Sequence, residues 1–343
     1  MKGSKPNILV TGGAGYIGSH TVVSLIENGY HPIILDDLRN TDQQAVQRLT
    51  RLTGQELDFF DTNCQDKKTL NNIFKKYDVA GVIHFAADKA VGESVEQPLK
   101  YFNNNISALV NVLEVMEEQQ KNNFVFSSSC TVYGEPKEIP VVEESPLSYS
   151  SPYGYTKLVG EQMLAQYKQY KPHFKYVALR YFNPIGAHES GSIGEVPRGV
   201  PNNLLPYITQ TAAGERSFLT VFGDDYDTPD GTCVRDYIHV MDLAEAHVAA
   251  LDYLLKNKEG IENEFNIGTG KGTSVKELID IFIETCNIDL PFKIGDRRKG
   301  DVPMIYAKTD KAKKILNWQA KRTISQAVSS AWRFEQKMKK NEI

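Results

Sequence analysis

The sequence predicts an α/β protein with a doubly wound parallel sheet and a smaller C-terminal α/β lobe. Apolar, strand-like runs alternate with helical segments from residue 7 to about 185, and the first run enters its helix through a cluster of glycines. Strands that alternate with helices form parallel sheets with right-handed crossovers. Beyond residue 185 the elements become shorter, after a stretch rich in Gly and Pro. The 343 residues therefore divide into two predicted units, 1–185 and 186–343.

The elements can be placed in order along the chain. Predicted strands cover residues 7–10, 31–35, 57–61, 80–87, 123–129 and 176–182. Predicted helices follow the glycines and lie near 66–77, 98–119, 153–170, 203–213, 242–256, 274–286 and 323–338, with a loop over 188–203. The second unit is expected to cover the carboxyl edge of the sheet, where ligands of such folds bind.

The glycine cluster has the spacing of a dinucleotide-binding turn. Gly13, Gly15 and Gly18 match the G-x-G-x-x-G pattern, and Gly12, Gly15 and Gly18 match a shifted version of it. Glycines permit the tight turn, the close approach of a pyrophosphate and the close packing of helix on sheet. The start of the following helix attracts phosphate through free N–H groups and a positive dipole end. A Rossmann-type nucleotide-binding domain is therefore predicted for residues 1–185.

An acidic residue follows the second predicted strand and indicates which dinucleotide binds. Asp36 comes directly after the apolar run at 31–35, at the expected distance from the glycines. A carboxylate there accepts hydrogen bonds from the adenosine ribose and repels a 2′-phosphate. The sequence therefore predicts NAD rather than NADP as the cofactor.

Tyr153 and Lys157 form a candidate catalytic pair near the start of a predicted helix. Residues four apart on a helix lie on the same face. A phenol, with an ordinary pKa of about 10, is a poor base at neutral pH. A nearby ammonium stabilises the phenolate and lowers that pKa, so the pair can provide a general base near pH 7.

The composition narrows the class of protein. A net charge of −4 argues against a nucleic-acid binder. No apolar stretch reaches the ~18 residues of a membrane span, and no signal peptide is visible at the N-terminus. The four cysteines have no C-x-x-C spacing, and the seven histidines form no H-x-x-x-H pair. We therefore expect a cytoplasmic enzyme without a metal site, without a membrane partner and without a nucleic-acid partner.

Long blocks of the sequence, in order, resemble the extended short-chain dehydrogenase/reductase family, and within it the UDP-glucose 4-epimerases. The resemblance begins at the glycine turn and reaches Trp318. The matching blocks are residues 16–21, 83–86, 89–94, 126–129, 131–134, 180–184, 201–204, 234–240 and 297–301. It implies an NAD-dependent isomerase of galactose metabolism with a UDP-sugar-binding lobe over residues 186–343.

The resemblance also implies roles for individual residues. For NAD, Gly12, Gly15, Gly18, Tyr16 and Ile17 would meet the pyrophosphate, Asp36 the ribose, Asp61 and Thr62 the adenine, and Phe85, Ala86, Ala87, Lys89, Asn104, Tyr153, Lys157 and Phe182 the rest of the cofactor. For the UDP-sugar, the implied residues are Lys89, Ser129, Thr131, Tyr153, Asn183, Asn203, Leu204, Phe222, Arg235, Arg298, Asp301 and Ile305.

By resemblance, the reaction inverts C4 of the hexose in UDP-glucose and UDP-galactose through a transient 4-keto sugar. Tyr153 would take the 4-hydroxyl proton, with Ser129 as relay, and both Lys157 and the nicotinamide would lower the pKa of Tyr153. The net reaction is redox-neutral, so NAD must stay bound. The family is commonly dimeric through helices of the first unit, which makes a homodimer the expected assembly.

Other functions remain open at this point. A UDP-N-acetylhexosamine or UDP-pentose epimerase is an alternative, because Ile305 stands where a bulky Tyr would restrict the sugar pocket. A sugar-nucleotide dehydratase is disfavoured, since Val132 and Tyr133 follow Thr131 instead of an Asp-Glu pair. A non-catalytic NAD-binding protein is also disfavoured, because both Tyr153 and Lys157 are present. Ala87 and Asp88 replace the Gly-Leu common in the family, so cofactor packing there is expected to differ slightly.

Overall fold

The structure, a computed structural model, describes residues 5–201, 203–259, 261, 263–298 and 300–343. Asn202 and Lys299, which belong to two of the blocks matched above, lie outside the described residues. The strands are β1 (Asn7–Thr11), β2 (His31–Asp36), β3 (Asp58–Asp61), β4 (Val79–His84), β5 (Asn123–Ser127), β6 (Lys175–Tyr181), β7 (Asn183–Ile185), β8 (Leu219–Phe222), β9 (Val234–Arg235), β10 (Tyr237–His239), β11 (Glu264–Ile267), β12 (Thr273–Ser274), β13 (Phe292–Gly295) and β14 (Met304–Ile305).

The predicted helices are found close to their expected positions. The helices of the structure are α1 (Tyr16–Glu27), α2 (Ala45–Thr53), α3 (Lys67–Lys76), α4 (Val91–Glu96), α5 (Pro98–Tyr101), α6 (Ser107–Glu118), α7 (Pro152–Tyr170), α8 (Leu204–Ala212), α9 (Val240–Lys256), α10 (Val275–Cys286), α11 (Asp310–Ile315) and α12 (Ile324–Lys339). Among them, α2, α4 and α11 are present in addition to those predicted. Over the described ranges, none of the helices has both the length and the apolar character needed to cross a membrane.

Seven strands form the central sheet, in the order β11-β6-β5-β4-β1-β2-β3. All neighbouring pairs are parallel, so every strand ends at the same edge. The order reverses between β1 and β4, which is where doubly wound folds bind their ligands. The predicted doubly wound parallel sheet is therefore confirmed.

Helices cover both faces of this sheet because alternate strand residues point to opposite sides. In β1, Ile8 and Val10 pack into the core beneath α1 and α9, while Leu9 packs into the core beneath α3, α6 and α7. Both cores are built from fully buried aliphatic and aromatic side chains. The result is a rigid platform on which the strand ends, and the side chains just beyond them, have fixed positions.

A third core lies outside the main sheet and supports the smaller lobe. Helices α8, α10 and α12 pack with β8 through Leu205, Leu278 and Phe282. The short pairs β7–β10 and β8–β13, and the trio β12-β9-β14, belong to this part of the chain. Two elements that follow residue 185, α9 and β11, nevertheless pack on the main sheet. The division at residues 185 and 186 stays a prediction.

The long helical segment predicted at 98–119 is interrupted. Between α5 and α6, Phe102–Ile106 forms a π-helical turn that contains Asn104 and Asn105. Such turns are uncommon and often accompany functional sites. Here the wider turn brings the two asparagines toward the carboxyl edge: Asn105 bonds to both the backbone of Asp88 and the hydroxyl of Thr156.

Candidate active site

A cavity of about 510 Å³ opens along the carboxyl ends of β1, β2 and β4. Most predicted cofactor residues line it: Gly12, Gly15, Tyr16, Ile17, Gly18, Asp36, Thr62, Phe85, Ala86, Ala87, Lys89, Asn104, Tyr153 and Lys157. Residues 194–198 of the second unit form part of its wall. Two predicted residues lie elsewhere: Asp61 is exposed at the end of β3, and Phe182 is buried one residue beyond β6.

The glycine turn has no room for side chains. Gly12 adopts a left-handed φ of 71°, and its N–H donates to the Leu35 carbonyl at 2.8 Å. A Cβ on Gly18 would lie 2.1 Å from the Gly12 carbonyl oxygen, and one on Gly12 would lie 2.8 Å from the Ala86 nitrogen. Helix α1 then begins at Tyr16 without a side-chain cap, so its first N–H groups are available to a ligand.

Asp36 fixes the turn and faces the cavity at the same time. Its Oδ2 accepts from the N–H of Ala14 at 3.0 Å and its Oδ1 from the N–H of Leu38 at 2.9 Å. Each carboxylate oxygen can accept more than one hydrogen bond, so both retain capacity for a ribose hydroxyl. Burial raises the pKa of this carboxyl, and these backbone donors act in the opposite direction.

Helix α7 begins where the sequence places the catalytic pair. Ser151 caps it, since its Oγ accepts from the N–H of Gly154 at 3.2 Å, and Pro152 occupies the first helical position. Both residues are typical of a helix start. This start points Tyr153 and Lys157 from one helical face into the cavity.

Ser129, Tyr153 and Lys157 come together at the end of β5. The Ser129 side chain lies beside Tyr153 and acts to lower the pKa of its hydroxyl. The Lys157 Nζ donates to the Ser127 carbonyl at 2.7 Å and lies 5.8 Å from the centre of the Tyr153 ring. All three side chains are at least nine-tenths buried. The structure thus brings the predicted catalytic residues into one cluster.

The electrostatics of this cluster differ from the expectation in one respect. Burial raises the pKa of Tyr153 well above its usual value; nearby Tyr181 adds to this increase, and the Ser129 side chain opposes it. Burial also lowers the pKa of Lys157 to about 8. The sequence predicts a lowered pKa for Tyr153. The protein groups alone do not provide it, because desolvation of the phenolate outweighs them.

Glu195, in the loop after β7, reaches across the cavity to Lys89. Its Oε1 accepts from the Lys89 Nζ at 3.0 Å and from the Asn203 Nδ2 at 2.7 Å. Nearby, the Tyr16 hydroxyl donates to the Gly186 carbonyl at 2.6 Å. Two predicted ligand-binding residues, Lys89 and Asn203, are therefore held by one carboxylate.

The remaining predicted substrate residues form a second group outside this cavity. Asp301 accepts from Arg298 at 2.8 Å and pairs with Arg235 at 3.6 Å, while Arg298 lies over the ring of Phe222. Opposite Arg235 in the β9–β14 pairing stands Ile305, which is buried.

Four further predicted residues lie outside the group around Asp301. Asn183 starts β7 and Leu204 starts α8, while Phe182 packs in the same buried cluster as Ile305. The Thr131 hydroxyl is buried, with no hydrogen-bond partner in the described part of the chain. A buried hydroxyl without a partner is suited to a ligand.

Among the residues of the cavity wall that the sequence did not predict, three have contacts that matter for the site. Tyr181 lines the cavity and accepts from the Ser127 hydroxyl at 2.9 Å. Arg39 donates to Asn104, and Glu195 accepts from Lys89. Arg39 follows Asp36 closely and could have been suspected as a phosphate or adenine neighbour. Glu195 lies in an irregular loop, where sequence spacing has no structural meaning.

The residues of the cavity fit an adenine dinucleotide. The turn at Gly12 and Gly18 leaves a cradle that any Cβ would fill, which is what close approach of a pyrophosphate requires. Asp36 offers half-buried acceptors to a ribose, and Tyr153 and Lys157 offer donors further along the same cavity.

Comparisons with known proteins agree with this geometry. The model of a family described as GDP-mannose 4,6 dehydratase matches residues 9–331. A UDP-glucose 4-epimerase of Dictyostelium discoideum is 48% identical over 96% of this chain and 95% of its own length. The chain belongs to the UDP-glucose 4-epimerases. These form part of the extended short-chain dehydrogenase/reductase family.

Solved structures show the same relationship. The UDP-glucose 4-epimerase of Stenotrophomonas maltophila, crystallised with NAD and formylated UDP-arabinopyranose, superposes with a TM-score of 0.95 at 43% identity, covering 98% of this chain and 99% of that chain. The enzyme of Bifidobacterium longum, in complex with NAD+ and UDP, gives a TM-score of 0.92 at 44% identity, covering 96% and 98%. The fold therefore matches these epimerases over nearly its whole length.

Proposed function

We propose that this chain interconverts UDP-galactose and UDP-glucose and keeps NAD bound while it does so. The observation that carries the proposal is the cluster of Ser129, Tyr153 and Lys157 beside a cavity built for a dinucleotide. We also propose residues 1–185 as the NAD-binding domain, 186–343 as the UDP-sugar lobe, and the residue roles given above.

Tyr153 and Ser129 would take one proton from the sugar 4-hydroxyl and later give it back. NAD, when bound, would supply reversible hydride acceptance for C4 of the sugar. Tyr153 as phenolate would remove the proton of the 4-hydroxyl and later return it, with Ser129 bonded to the same oxygen. Because burial raises the pKa of Tyr153, positive charge from Lys157 and from the nicotinamide must offset desolvation.

The UDP moiety would serve as a remote anchor. Arg235 and Arg298 have guanidinium groups suited to a diphosphate, and Asp301 can accept from a ribose hydroxyl. Their cluster lies on β9 and the loop before β14, and its residues are not among those that line the cavity with Tyr153. Binding energy from this distant part leaves the transient 4-keto sugar free to turn over in the site.

The direct test is turnover without added cofactor. The purified protein is incubated with UDP-galactose, and formation of UDP-glucose is followed while protein-bound NAD is quantified. We expect conversion with NAD still bound. A folded, NAD-loaded protein that forms no UDP-glucose would contradict the proposal.

A second prediction concerns the sugar range set by Ile305. Its side chain is 6% exposed and shares a buried cluster with Val132, Leu158 and Phe182. An Ile305→Tyr variant adds a ring to this cluster, so kcat/KM for UDP-GlcNAc should fall about 10-fold or more relative to UDP-galactose. An Ile305→Val variant is the matched control and should preserve the ratio. Equal losses of kcat/KM on both substrates would show that Ile305 does not select the sugar. The same assay with a UDP-pentose tests the alternative substrate class.

A homodimer is proposed through the outer face of α6 and α7. These helices border an apolar groove of about 490 Å³ lined by Val110, Leu113, Val159 and Met163. Tyr170, also in the groove, is 73% exposed. Exposed apolar grooves of this kind mark protein interfaces.

Light scattering should give twice the chain mass for the wild type and a monomer for a Met163→Glu variant. An Ala165→Glu variant adds the same charge at an exposed position of the same helix, outside the groove, and should remain dimeric. A monomeric wild type would overturn the assembly.

The four unpaired cysteines fit the cytoplasmic location that we also propose.

A further inference from the structure

The catalytic face of α7 continues one turn beyond Lys157. Tyr153, Lys157 and Glu161 are spaced by four residues and are all buried. Each lies beside one of three consecutive serines, residues 127–129: the Lys157 Nζ donates to the Ser127 carbonyl at 2.7 Å, the Ser128 hydroxyl donates to Glu161, and Ser129 lies beside Tyr153 and acts on its pKa. Three residues of one face of α7 thus lie beside the three serines that end and follow β5. Of these three helix residues, Glu161 is the one without an assigned role.

Glu161 is held from two strands. Arg180 on β6 binds both of its carboxylate oxygens, with its Nη2 at 2.7 Å and its Nε at 3.0 and 3.2 Å. Both side chains are 4% exposed. Arg180 is fixed in turn by the Tyr133 hydroxyl at 3.1 Å and the Glu143 carbonyl at 2.8 Å. A carboxylate anchored by a two-pronged guanidinium has little freedom to move.

The charge of Glu161 acts on Lys157. Lys157 faces Tyr153 and Glu161 on α7, His84 on β4 and Phe126 on β5. On β6, Tyr181 acts on Tyr153 and Arg180 pairs with Glu161. Burial lowers the pKa of His84 to about 3 and raises that of Tyr181 to about 12, so both are neutral at pH 7. Glu161 is the anion of this set, and it raises the pKa of Lys157 against the opposing effect of burial.

We propose that Glu161 is a positioning residue for the epimerase reaction. Its carboxylate, held by Arg180 and Ser128, keeps the Lys157 ammonium charged and keeps α7 in the register that places Tyr153 against Ser129. The inference rests on the proposed function and deepens it, because it adds a residue that acts through Lys157 and touches neither substrate nor cofactor.

The test is a Glu161→Gln variant of the full chain with NAD bound, compared with the wild type. The amide keeps a hydrogen-bond acceptor for Ser128 and removes the charge. Two readouts are the pKa of Lys157, measured by NMR on isotope-labelled lysine, and the pH profile of kcat. Loss of an adjacent opposite charge should lower the pKa of Lys157 by about one unit or more.

The sign of the effect follows from which form of Lys157 is active. The ammonium form is required, so activity falls as pH rises through its pKa, and the alkaline limb should move to lower pH by the same amount. A Glu264→Gln variant is the control: Glu264 accepts from the Tyr176 hydroxyl at 3.0 Å on the same sheet. It should leave both readouts unchanged.

A second variant separates positioning from stability. Glu161→Gln leaves Arg180 unpaired in the core, which can prevent folding. In the double variant Glu161→Gln with Arg180→Gln, both charges are absent and stability should recover. A Lys157 pKa that stays low in the recovered protein supports the proposal. A return of both readouts to wild-type values would make the pair purely structural and overturn it. Wild-type turnover of UDP-galactose tests the function itself in the same series.

Discussion

A Tyr153→Phe variant is expected to lose turnover of UDP-galactose by about 10²–10⁴-fold, the range of general acid–base catalysis. The substitution removes only the hydroxyl that would exchange the proton of the sugar. The ring stays buried next to Lys157, so the fold and the NAD content should change little. Steady-state kcat and the NAD released on denaturation are the two measurements.

Tyr155 provides the matched control for this variant. It lies two residues further along α7, where its ring packs against Tyr149 at 4.8 Å and Phe102 at 5.7 Å. A Tyr155→Phe variant removes an equivalent hydroxyl from the same helix and should keep wild-type turnover. Full activity in a folded Tyr153→Phe protein would exclude the phenol as the base. Loss of NAD from that variant would instead assign Tyr153 mainly to cofactor binding.

Much of the fold could be predicted because local signals coincide with the elements. Helix α3 was expected at 66–77 and is found at Lys67–Lys76, with Asp66 as its cap, which accepts from the N–H of Thr69 at 3.1 Å. The short strand β11 was not assigned to the main sheet, although it forms one edge of it beside β6. A strand of four residues is too short for its sequence pattern to show which sheet it joins. Its place in the main sheet depends on α9, which packs back onto the core of that sheet.

The same contrast holds within the site. The glycine turn and Asp36 were predictable because a tight turn and a strand-end acid are local features. Glu195 was not, because only the folded chain brings its loop to Lys89 and Asn203. The raised pKa of Tyr153 was also beyond the sequence: it comes from burial, which spacing along a helix does not report. The missing information in each case is tertiary contact.

The second large effect is expected for Gly18→Ala. The new methyl carbon would lie 2.1 Å from the Gly12 carbonyl oxygen and 2.8 Å from the Gly13 Cα. Both neighbours are backbone, so the clash can be relieved only by moving the turn or α1. We expect a destabilisation of roughly 3 kcal/mol or more, at the upper end of overpacking effects. NAD should be lost as well, because the same turn approaches the pyrophosphate.

Denaturant unfolding and NAD content test this prediction together, with Gly92→Ala as control. Gly92 is also helical, in α4, but a Cβ there would meet no atom within 4 Å. That substitution should be neutral or stabilise by up to about 1 kcal/mol, since alanine favours a helix over glycine. If Gly18→Ala matched this control in both stability and bound NAD, the turn would be more adaptable than its contacts indicate. The close approach of the pyrophosphate would then need another explanation.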